Sequence, residues 1–293
     1  MPQLRIETEL VEGLLDAALA EDIGPGDLTS SAVIPPEAVA RGTFVAREPG
    51  VLAGGPLLAP IFRRLDKAVE VKLLTDDGEA LAKGDAVAAI GGPARAVLAG
   101  ERVALNFLQR LSGIATLTRR FVERAAPHGA KILDTRKTTP GWRHLEKYAV
   151  RAGGGSNHRM GLYDQVLIKD NHLLVAERRW PGRAVAGAVE AARAAAPGGI
   201  RIEVEADTLD QVRQAIEAGA DIILLDNMSD EEMRQAAALV HGLKERPILE
   251  ASGGVTEARV EAIARTGVDW ISVGALTHSA PALDIALDLE RAD

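Results

Sequence analysis

The chain has 293 residues, a formal net charge of −8 and no cysteine. Its length suits one large α/β barrel, or a barrel of ordinary size with a smaller companion domain. The acidic balance opposes binding to nucleic acid or to anionic membranes, and the lack of cysteine excludes disulfides, thiolate catalysis and zinc–sulfur sites. Charges run through the first 20 residues, so we expect no signal peptide or membrane anchor and a cytoplasmic protein.

The first part of the chain combines helices with short strands. Apolar residues at helical spacing predict helices over 9–21 and about 101–120. The predicted strands, separated by turns, are 42–47, 69–74 and 86–90. This order is an α+β pattern, so we expect an N-terminal α+β sandwich domain over residues 1–116.

A polar stripe runs along the second of these helices. Arg102, Asn106, Gln109 and Gly113 recur at helical spacing beside the apolar side. Such a stripe is either solvated or meets a ligand or a partner subunit, and the residues alone leave these alternatives open.

From residue 131 onward, strands alternate with helices. The predicted strands are 131–135, 165–169, 200–206, 221–226, 247–252 and 269–274, with helices near 208–218, 229–242 and 256–265. This alternation predicts an irregular, incomplete α/β barrel of about six parallel strands over residues 117–276. The tail, about 277–293, is interpreted as a helix over 276–292 and is expected to pack on the N-terminal domain.

Residues 136–172 form a basic island in this acidic protein. They include seven Lys or Arg against three acids, and three of the six histidines. Three consecutive glycines, 153–155, interrupt the island. Its last part includes the predicted strand 165–169, whose apolar residues are typical of a buried strand. These features favour a site for a small anion over a solvated charged face.

Polar residues stand at the predicted carboxyl end of every barrel strand, where α/β barrels hold their active sites. They are Asp134-Thr135-Arg136-Lys137, Lys169, Glu203 with Glu205, Asp226-Asn227, Glu250 with Ser252-Gly253-Gly254, and Ser272 with Gly274-Ala275. The cations suit carboxylates and phosphates, and the acids suit ribose hydroxyls, Mg²⁺ or a developing cation. The glycine-bearing ends let backbone N–H groups approach a phosphate.

Two of these residues have alternative interpretations. Lys169 at a strand end also suits the Schiff-base lysine of an aldolase-like barrel. However, four cations together, Arg136, Lys137, Arg159 and Lys169, fit a multiply charged anion better. His158 orients a substrate, transfers a proton, or is structural. The His-Glu-x-x-His spacing does not occur, so we expect no permanent metal centre in the protein itself.

Segments along nearly the whole chain resemble the quinolinate phosphoribosyltransferase family. The most specific are Asp134-Thr135-Arg136-Lys137-Thr138-Thr139-Pro140 and Asn157-His158-Arg159. The others include Glu101–Asn106, Leu111–Thr116, Ile168–His172, Glu203-Val204-Glu205, Leu225-Asp226-Asn227, Glu250–Gly254 and Ser272-Val273-Gly274.

The resemblance implies an enzyme of NAD synthesis that transfers phosphoribosyl from phosphoribosyl pyrophosphate to quinolinate. Decarboxylation then gives nicotinate mononucleotide, pyrophosphate and CO₂. The resemblance also implies a homodimer with shared active sites, or a higher oligomer, in which Arg102 enters the neighbour's site. The alternatives are a molybdenum-transport-associated paralogue of the same fold and the aldolase-like barrel using Lys169.

The resemblance also implies roles for single residues. Arg136, Arg159 and Lys169 would hold the two carboxylates of quinolinate, with Thr135, Lys137 and His158 alongside. Glu205, Asp226 and Asn227 would meet the ribose, near the Mg²⁺ that accompanies phosphoribosyl pyrophosphate as the expected cofactor. The residues expected to cradle the 5′-phosphate are Ser252, Gly253, Gly254, Val273, Gly274 and Ala275. The candidates for catalysis are Lys137, Lys169, Glu205 and Asp226.

Overall fold

The computed structural model describes residues 6–290, which form two compact units. The first unit combines residues 6–119, 138–154 and 276–290. The second unit combines residues 120–137 and 155–275. None of the helices in the described part of the chain is long and apolar enough to cross a membrane.

The strands fall into one antiparallel sheet, one short pair and one parallel sheet. The strands of the first unit are β1 (Val39–Ala46), β2 (Gly50–Val51), β3 (Glu70–Leu73), β4 (Ala80–Leu81), β5 (Ala86–Pro93) and, at the other end of the chain, β12 (Ile285–Leu289). Those of the second unit are β6 (Lys131–Leu133), β7 (Val166–Ile168), β8 (Ile202–Ala206), β9 (Ile222–Asp226), β10 (Ile248–Ser252) and β11 (Trp270–Ser272).

The helices are numbered in chain order. Up to the first barrel strand they are α1 (Glu12–Ile23), α2 (Leu28–Val33), α3 (Leu58–Leu65) and α4 (Ala94–Ala125). After it come α5 (Arg143–Ala152), α6 (Asp170–Ala176), α7 (Ala184–Ala195), α8 (Leu209–Glu217), α9 (Asp230–Val240), α10 (Val260–Ala264) and α11 (Ala275–His278).

The first unit is built on a four-stranded antiparallel sheet in the order β12-β1-β5-β3, beside the β2-β4 pair. Side chains alternate along β1, so that Phe44 and Ala46 are buried. Phe44 packs on Phe62 of α3 with ring centroids 6.2 Å apart. The predicted α+β pattern is confirmed, and burial of these rings stabilises the sheet against its helices.

The predicted helix over 276–292 is wrong for most of its length. Only Ala275–His278 is helical, and β12 pairs antiparallel with β1. From Leu283 to Asp288 apolar residues alternate with polar or small ones, which is the period of a strand. The edge of β1 opposite β5 supplies the hydrogen bonds that this strand needs. Residues 291–293 lie outside the described residues.

The polar stripe on α4 divides into two halves. Gln109 Nε2 donates to the carbonyl of Ile285 at 2.7 Å, and a Cβ on Gly113 would lie 1.9 Å from the carbonyl oxygen of Pro281. Only glycine permits that close approach of the tail. Arg102 and Asn106, by contrast, are exposed. The stripe therefore serves the chain's own tail at one end and presents a cation to solvent at the other.

The second unit contains six parallel strands in the order β6-β11-β10-β9-β8-β7. They are the six predicted strands, and an open sheet of this order confirms the irregular, incomplete α/β barrel. Gly219 and Gly267, which follow the ends of helices α8 and α10, both have positive φ, at 73° and 94°. In β9, the residues from Ile222 to Leu225 are all buried, as expected for a strand covered on both faces.

The basic island does not remain together in one unit. Helix α5, with Arg143, the buried Lys147 and Arg151, belongs to the first unit. Its Tyr148 hydroxyl donates to Asp77 Oδ2 at 2.6 Å, and Glu146 pairs with Arg110 at 2.8 Å. The second unit keeps Arg136, Lys137, Arg159 and Lys169.

Candidate active site

The parallel sheet of the second unit brings the predicted polar strand ends to one edge. Ser252 of β10 lies beside Asp226 of β9, and Ser272 of β11 lies beside Leu133 of β6 in the strand register. Because all six strands run in the same direction, their carboxyl ends open on one side. Every predicted site residue except Arg102 belongs to this unit.

A pair of arginines forms the cationic part of this edge. Arg136 follows β6 and Arg159 follows the glycine run, and both are half-buried. Burial lowers the pKa of Arg159, and the charge of Arg136 lowers it further. Two half-buried guanidinium groups that repel each other favour an anion between or beside them, because an anion offsets both charges.

Three carboxylates form the acidic part of the edge. Oxygen atoms of Glu205, Asp207 and Asp226 lie within 4.8 Å of one another. Burial, followed by the charge of Asp226, raises the pKa of Glu205 to about 7, although Lys169 acts in the opposite direction. An all-oxygen set of this kind fits the ligand preference of Mg²⁺ and also suits a developing positive charge.

The two candidate lysines, Lys137 and Lys169, are exposed. Lys169 precedes α6, and its backbone N–H donates to His172 Nδ1 at 2.9 Å. The backbone N–H of Lys137 donates to Thr135 Oγ1 at 3.1 Å. Lys169 is close enough to Glu205 for its charge to lower the pKa of that carboxyl group.

The loops that follow β9 and β10 contain residues in the left-handed region of backbone conformation. Asn227 has a φ of 52°, and Gly253 and Gly254 have φ values of 93° and 57°. The N–H of Asn227 donates to the carbonyl of Ser252 at 3.0 Å, which ties the two loops together. Directly after β11, the N–H of Val273 donates to the carbonyl of Leu133 at 2.9 Å.

A buried cluster lies within the sheet below this edge. His158 Nε2 contacts Glu203 Oε2 at 3.1 Å and Glu250 Oε2 at 3.5 Å, and both glutamate side chains are fully buried. Gln165 Nε2 donates to Glu203, and Ser272 Oγ donates to Glu250 Oε1 at 2.5 Å. Oε1 of Glu203 has no hydrogen-bond partner among residues 6–290.

The protonation of this cluster follows from burial and from the charges within it. Burial lowers the pKa of His158, but hydrogen bonds and charges from Glu203 and Glu250 outweigh it and raise the pKa to about 10. Burial and the charge of Glu250 raise the pKa of Glu203. Nδ1 of His158 lies 2.7 Å from the backbone nitrogen of Arg159. With a pKa of about 10, His158 carries a positive charge at neutral pH, and this charge offsets part of the negative charge of the two buried glutamates.

Both domains of one enzyme family match the chain. Residues 27–112 match the N-terminal domain of quinolinate phosphoribosyl transferase, and residues 114–288 match its C-terminal domain. The chain belongs to the quinolinate phosphoribosyl transferase family. This membership agrees with the arginine pair and with the glycine-bearing loops at the same sheet edge.

Individual relatives of this family support the same assignment. The chain is 47% identical to the probable nicotinate-nucleotide pyrophosphorylase [carboxylating] of Bacillus subtilis, across 94% of the chain and 92% of that protein. A solved structure of NadC from Streptococcus pyogenes is 40% identical, has a TM-score of 0.92 and covers 99% of both chains. The nicotinate-nucleotide pyrophosphorylase structure from Francisella tularensis is 38% identical with a TM-score of 0.89, covering 99% of this chain and 100% of that one.

Several residues of this family member were not among the predicted site residues. Asp134, Glu203 and Glu250 were named only as polar residues at strand ends, without a role, and Gln165 and Asp207 were not named. Asp134 is fully buried and accepts from the N–H of His158 and from the side chain of Asn157. A charged residue inside an otherwise apolar strand, as in Ile-Glu-Val-Glu and Ile-Leu-Glu-Ala, was the signal for both glutamates. Asp207 directly follows a strand and carries the strand-end signal, whereas nothing local distinguishes Gln165.

Proposed function

We propose that this protein transfers the phosphoribosyl group of phosphoribosyl pyrophosphate to quinolinate and releases CO₂, giving nicotinate mononucleotide. One observation carries the proposal: a repelling arginine pair, Arg136 and Arg159, shares a sheet edge with the carboxylates of Glu205 and Asp226. A dianionic ring and a phosphorylated sugar need these two opposite environments side by side.

The cationic part suits the two carboxylates of quinolinate. Each guanidinium group can bind one carboxylate through two parallel hydrogen bonds, and Lys169 adds a flexible point charge. Lys137 and the Thr135 hydroxyl complete this side of the proposed site. A substrate with a single carboxylate would leave one of the half-buried cations without an anion, which is the basis for preferring quinolinate over nicotinate.

The acidic part and the two glycine-bearing loops suit phosphoribosyl pyrophosphate. Glu205 and Asp226 would bind the ribose hydroxyls, and the loops at Ser252–Gly254 and Val273–Ala275 would surround the 5′-phosphate. Glu205, Asp207 and Asp226 are the residues that would lie around Mg²⁺. The ion, arriving with the substrate, would neutralise charge on the departing pyrophosphate.

The chemistry follows from these charges. As pyrophosphate leaves the ribose C1, positive charge develops there, and the carboxylates of Glu205 and Asp226 stabilise it. The ring nitrogen of quinolinate then attacks C1 and becomes positive. The bond between the adjacent ring carbon and its carboxylate breaks and CO₂ leaves. The electron pair that remains on this carbon, beside the cationic nitrogen, then takes up one proton to give nicotinate mononucleotide. No covalent nucleophile is needed, so positioning supplies most of the rate enhancement.

The proposed assembly is a homodimer, or a higher oligomer built from it, in which sites are shared. Arg102 supports this because it belongs to the first unit and remains exposed, whereas Gln109 and Gly113 of the same stripe contact the chain's own tail. An exposed arginine at the end of a polar stripe is suited to bind an anion held by a second copy of the chain.

The test is a reaction of the purified protein with quinolinate, phosphoribosyl pyrophosphate and Mg²⁺, followed by chromatography for nicotinate mononucleotide. Nicotinate replaces quinolinate in the control reaction, and we expect product from quinolinate only. Equal turnover of nicotinate would contradict the dianion assignment. Borohydride trapping with carbonyl substrates separately tests the aldolase alternative, and an adduct on Lys169 would favour that alternative.

A further inference from the structure

An ion pair in the first unit, between Arg110 of α4 and Glu146 of α5, also contacts two other segments of the chain. Arg110 Nη2 lies 2.8 Å from Glu146 Oε1, and the glutamate side chain is fully buried. The glutamate also accepts from Thr139, at 3.1 Å from the backbone N–H to Oε2 and at 2.9 Å from the hydroxyl to Oε1. A buried carboxylate is stable only when donors such as these surround it.

The guanidinium group of Arg110 also holds the segment around α11. Its Nη2 donates to the carbonyl of Thr277, and its Nη1 donates to the carbonyl of Ala280 at 3.1 Å. An arginine presents several N–H donors in one plane, whereas the compact ammonium group of a lysine would lose some of these partners. Arg110 therefore connects the segment at Thr139 with the segment at Thr277.

A second contact holds the start of α5 against α4. The Phe107 ring stacks on the ring of Trp142, with centroids 4.6 Å apart and an interplanar angle of 14°. Phe107 precedes Arg110 by three residues, so the two side chains lie on the same side of the helix. The N–H of Trp142 donates to the carbonyl of Thr139 at 3.0 Å. The turn that begins at Thr139 is thus fixed by an aromatic stack together with a charged pair.

These contacts lie close in the chain to two groups of candidate site residues. Thr139 follows Lys137 by two positions, and Thr277 follows Ala275 by two positions. Lys137 belongs to the cationic strand end after β6, and Ala275 belongs to the glycine-bearing strand end after β11. These two strands are neighbours in the parallel sheet. A segment whose next residues are fixed has less conformational freedom to lose when a ligand binds.

We propose that Arg110 and Glu146 form a positioning pair for two strand ends of the site. Through Thr139 the pair limits the motion of the cationic end after β6, and through Thr277 it limits the motion of the loop after β11. In this role neither side chain of the pair touches a substrate. The assignment of ligands rests on the proposed function, in which the first strand end binds quinolinate and the second binds the 5′-phosphate of phosphoribosyl pyrophosphate.

Conservative variants separate the two connections. Thr139→Val replaces the hydroxyl donor by a methyl group, so the dissociation constant for quinolinate, measured by isothermal titration, should rise about fivefold. Its KM for phosphoribosyl pyrophosphate should stay within about twofold of the wild-type value. Thr139→Ser keeps the hydroxyl group and should retain wild-type affinity for quinolinate. Arg110→Lys keeps the charge but loses the planar set of donors, so both constants should rise about fivefold.

Arg95→Lys is the matched control for the arginine variant. Arg95 also belongs to α4, and its guanidinium group donates to the carbonyls of Ser31 and Ile34. These two residues are distant in the chain from both strand ends, so neither constant should change. An effect of Arg110→Lys no larger than that of Arg95→Lys would overturn the proposal. An equal effect of Thr139→Val on both substrates would also overturn it, and this second comparison remains decisive if Arg110→Lys does not fold.

Hydrogen exchange in the ligand-free protein distinguishes failure of this inference from failure of the proposed function. In Arg110→Lys, peptides over 136–142 and 274–281 should exchange about tenfold faster than in the wild-type protein, whereas a peptide over α3 should not change. Thr139→Val should affect only the first of these peptides. Unchanged exchange would overturn the positioning role whatever the substrate is. If exchange accelerates but the wild-type protein does not bind quinolinate, the proposed function fails and the positioning role of the pair is retained.

Discussion

The backbone of Gly253 lies against the side chain of Asn227. A Cβ on Gly253 would be 2.2 Å from Asn227 Oδ1 and 3.0 Å from its backbone nitrogen, and Gly253 has a φ of 93°. Both residues belong to loops at the ends of neighbouring strands, β10 and β9. The strand register and the Asn227–Ser252 hydrogen bond bring them together, so the shape of one loop depends on the other.

Substitution of Gly253 by alanine should damage the proposed phosphate loop. The added methyl group must displace Asn227, and the backbone must also adopt a conformation that L-residues rarely take. We expect the KM for phosphoribosyl pyrophosphate to rise about tenfold. Gly254→Ala is the matched control, because its Cβ would meet no atom within 4 Å, and its effect should be smaller. Equal effects of the two substitutions on KM would refute the steric argument.

Activity should rise with pH through neutrality because of Glu205. Burial and Asp226 raise the pKa of Glu205 to about 7, so it is mostly a neutral acid at pH 6 and mostly a carboxylate at pH 8. Only the carboxylate stabilises positive charge at the ribose C1. A profile of kcat/KM against pH should therefore show an ascending limb near pH 7. Glu205→Gln should be slow at every pH and lack that limb, and an unchanged limb in this variant would assign it to another group.

Glu205 should affect folding stability in the direction opposite to its effect on activity, so that its contribution to stability falls as pH rises. The folded-state pKa of Glu205 lies above its ordinary value of 4.5, so the folded protein binds this proton more tightly than the unfolded chain does. Its favourable contribution is present at acidic pH and is lost as pH rises through about 7. Urea unfolding at pH 6 and pH 8 should accordingly show that Glu205→Gln gains stability relative to wild type at the higher pH. No relative gain would indicate that Glu205 has an ordinary pKa.

Removal of Arg136 should weaken quinolinate binding by about a hundredfold, because a half-buried carboxylate would lose a charge-assisted partner. Calorimetry with quinolinate measures the loss directly. Arg143→Ala provides an arginine control, since Arg143 begins α5 in the first unit and donates to Thr138. Unchanged quinolinate affinity in Arg136→Ala would remove this residue from the proposed carboxylate site.

Shared sites predict complementation between two inactive variants. Arg102→Ala and Lys169→Ala should each be inactive alone. After subunit exchange, half of the dimers carry one intact site, so activity should return to about a quarter of the wild-type value. Exchange itself is confirmed with differently tagged subunits. Persistent inactivity in a mixture with proven heterodimers would contradict the placement of Arg102 of the partner subunit in the site.

Most of the fold of the second unit could be predicted from the sequence. Its buried parallel strands appear there as runs of apolar residues, and two of them follow a glycine that ends the preceding helix. The tail could not be predicted, since its strand depends on the open edge of β1, which is more than 200 residues away in the chain. The place of helix α5 could not be predicted either, because it lies between two barrel strands in the chain while its buried face packs in the first unit. In both cases a tertiary partner decides what the local pattern leaves open.

The polar strand ends were similarly predictable as a group, because charges at the ends of apolar strands are conspicuous. The contacts among them were not. That Glu203 and Glu250 converge on His158 depends on the order of β8 and β10 around β9. The close approach of Arg136 to Arg159 likewise depends on the path of a glycine-rich loop. Residue types predict the chemistry of a site, whereas register and loop path determine which groups meet.

The most direct test of the proposed function is the stoichiometry of the reaction with carboxyl-labelled quinolinate. The protein, phosphoribosyl pyrophosphate and Mg²⁺ are mixed with quinolinate labelled in the carboxylate next to the ring nitrogen. The labelled CO₂, pyrophosphate and nicotinate mononucleotide are then counted. We predict equal amounts of all three products, and none when phosphoribosyl pyrophosphate is omitted. Release of CO₂ without nicotinate mononucleotide, or no product over a range of pH and Mg²⁺ concentration, would contradict the proposed function.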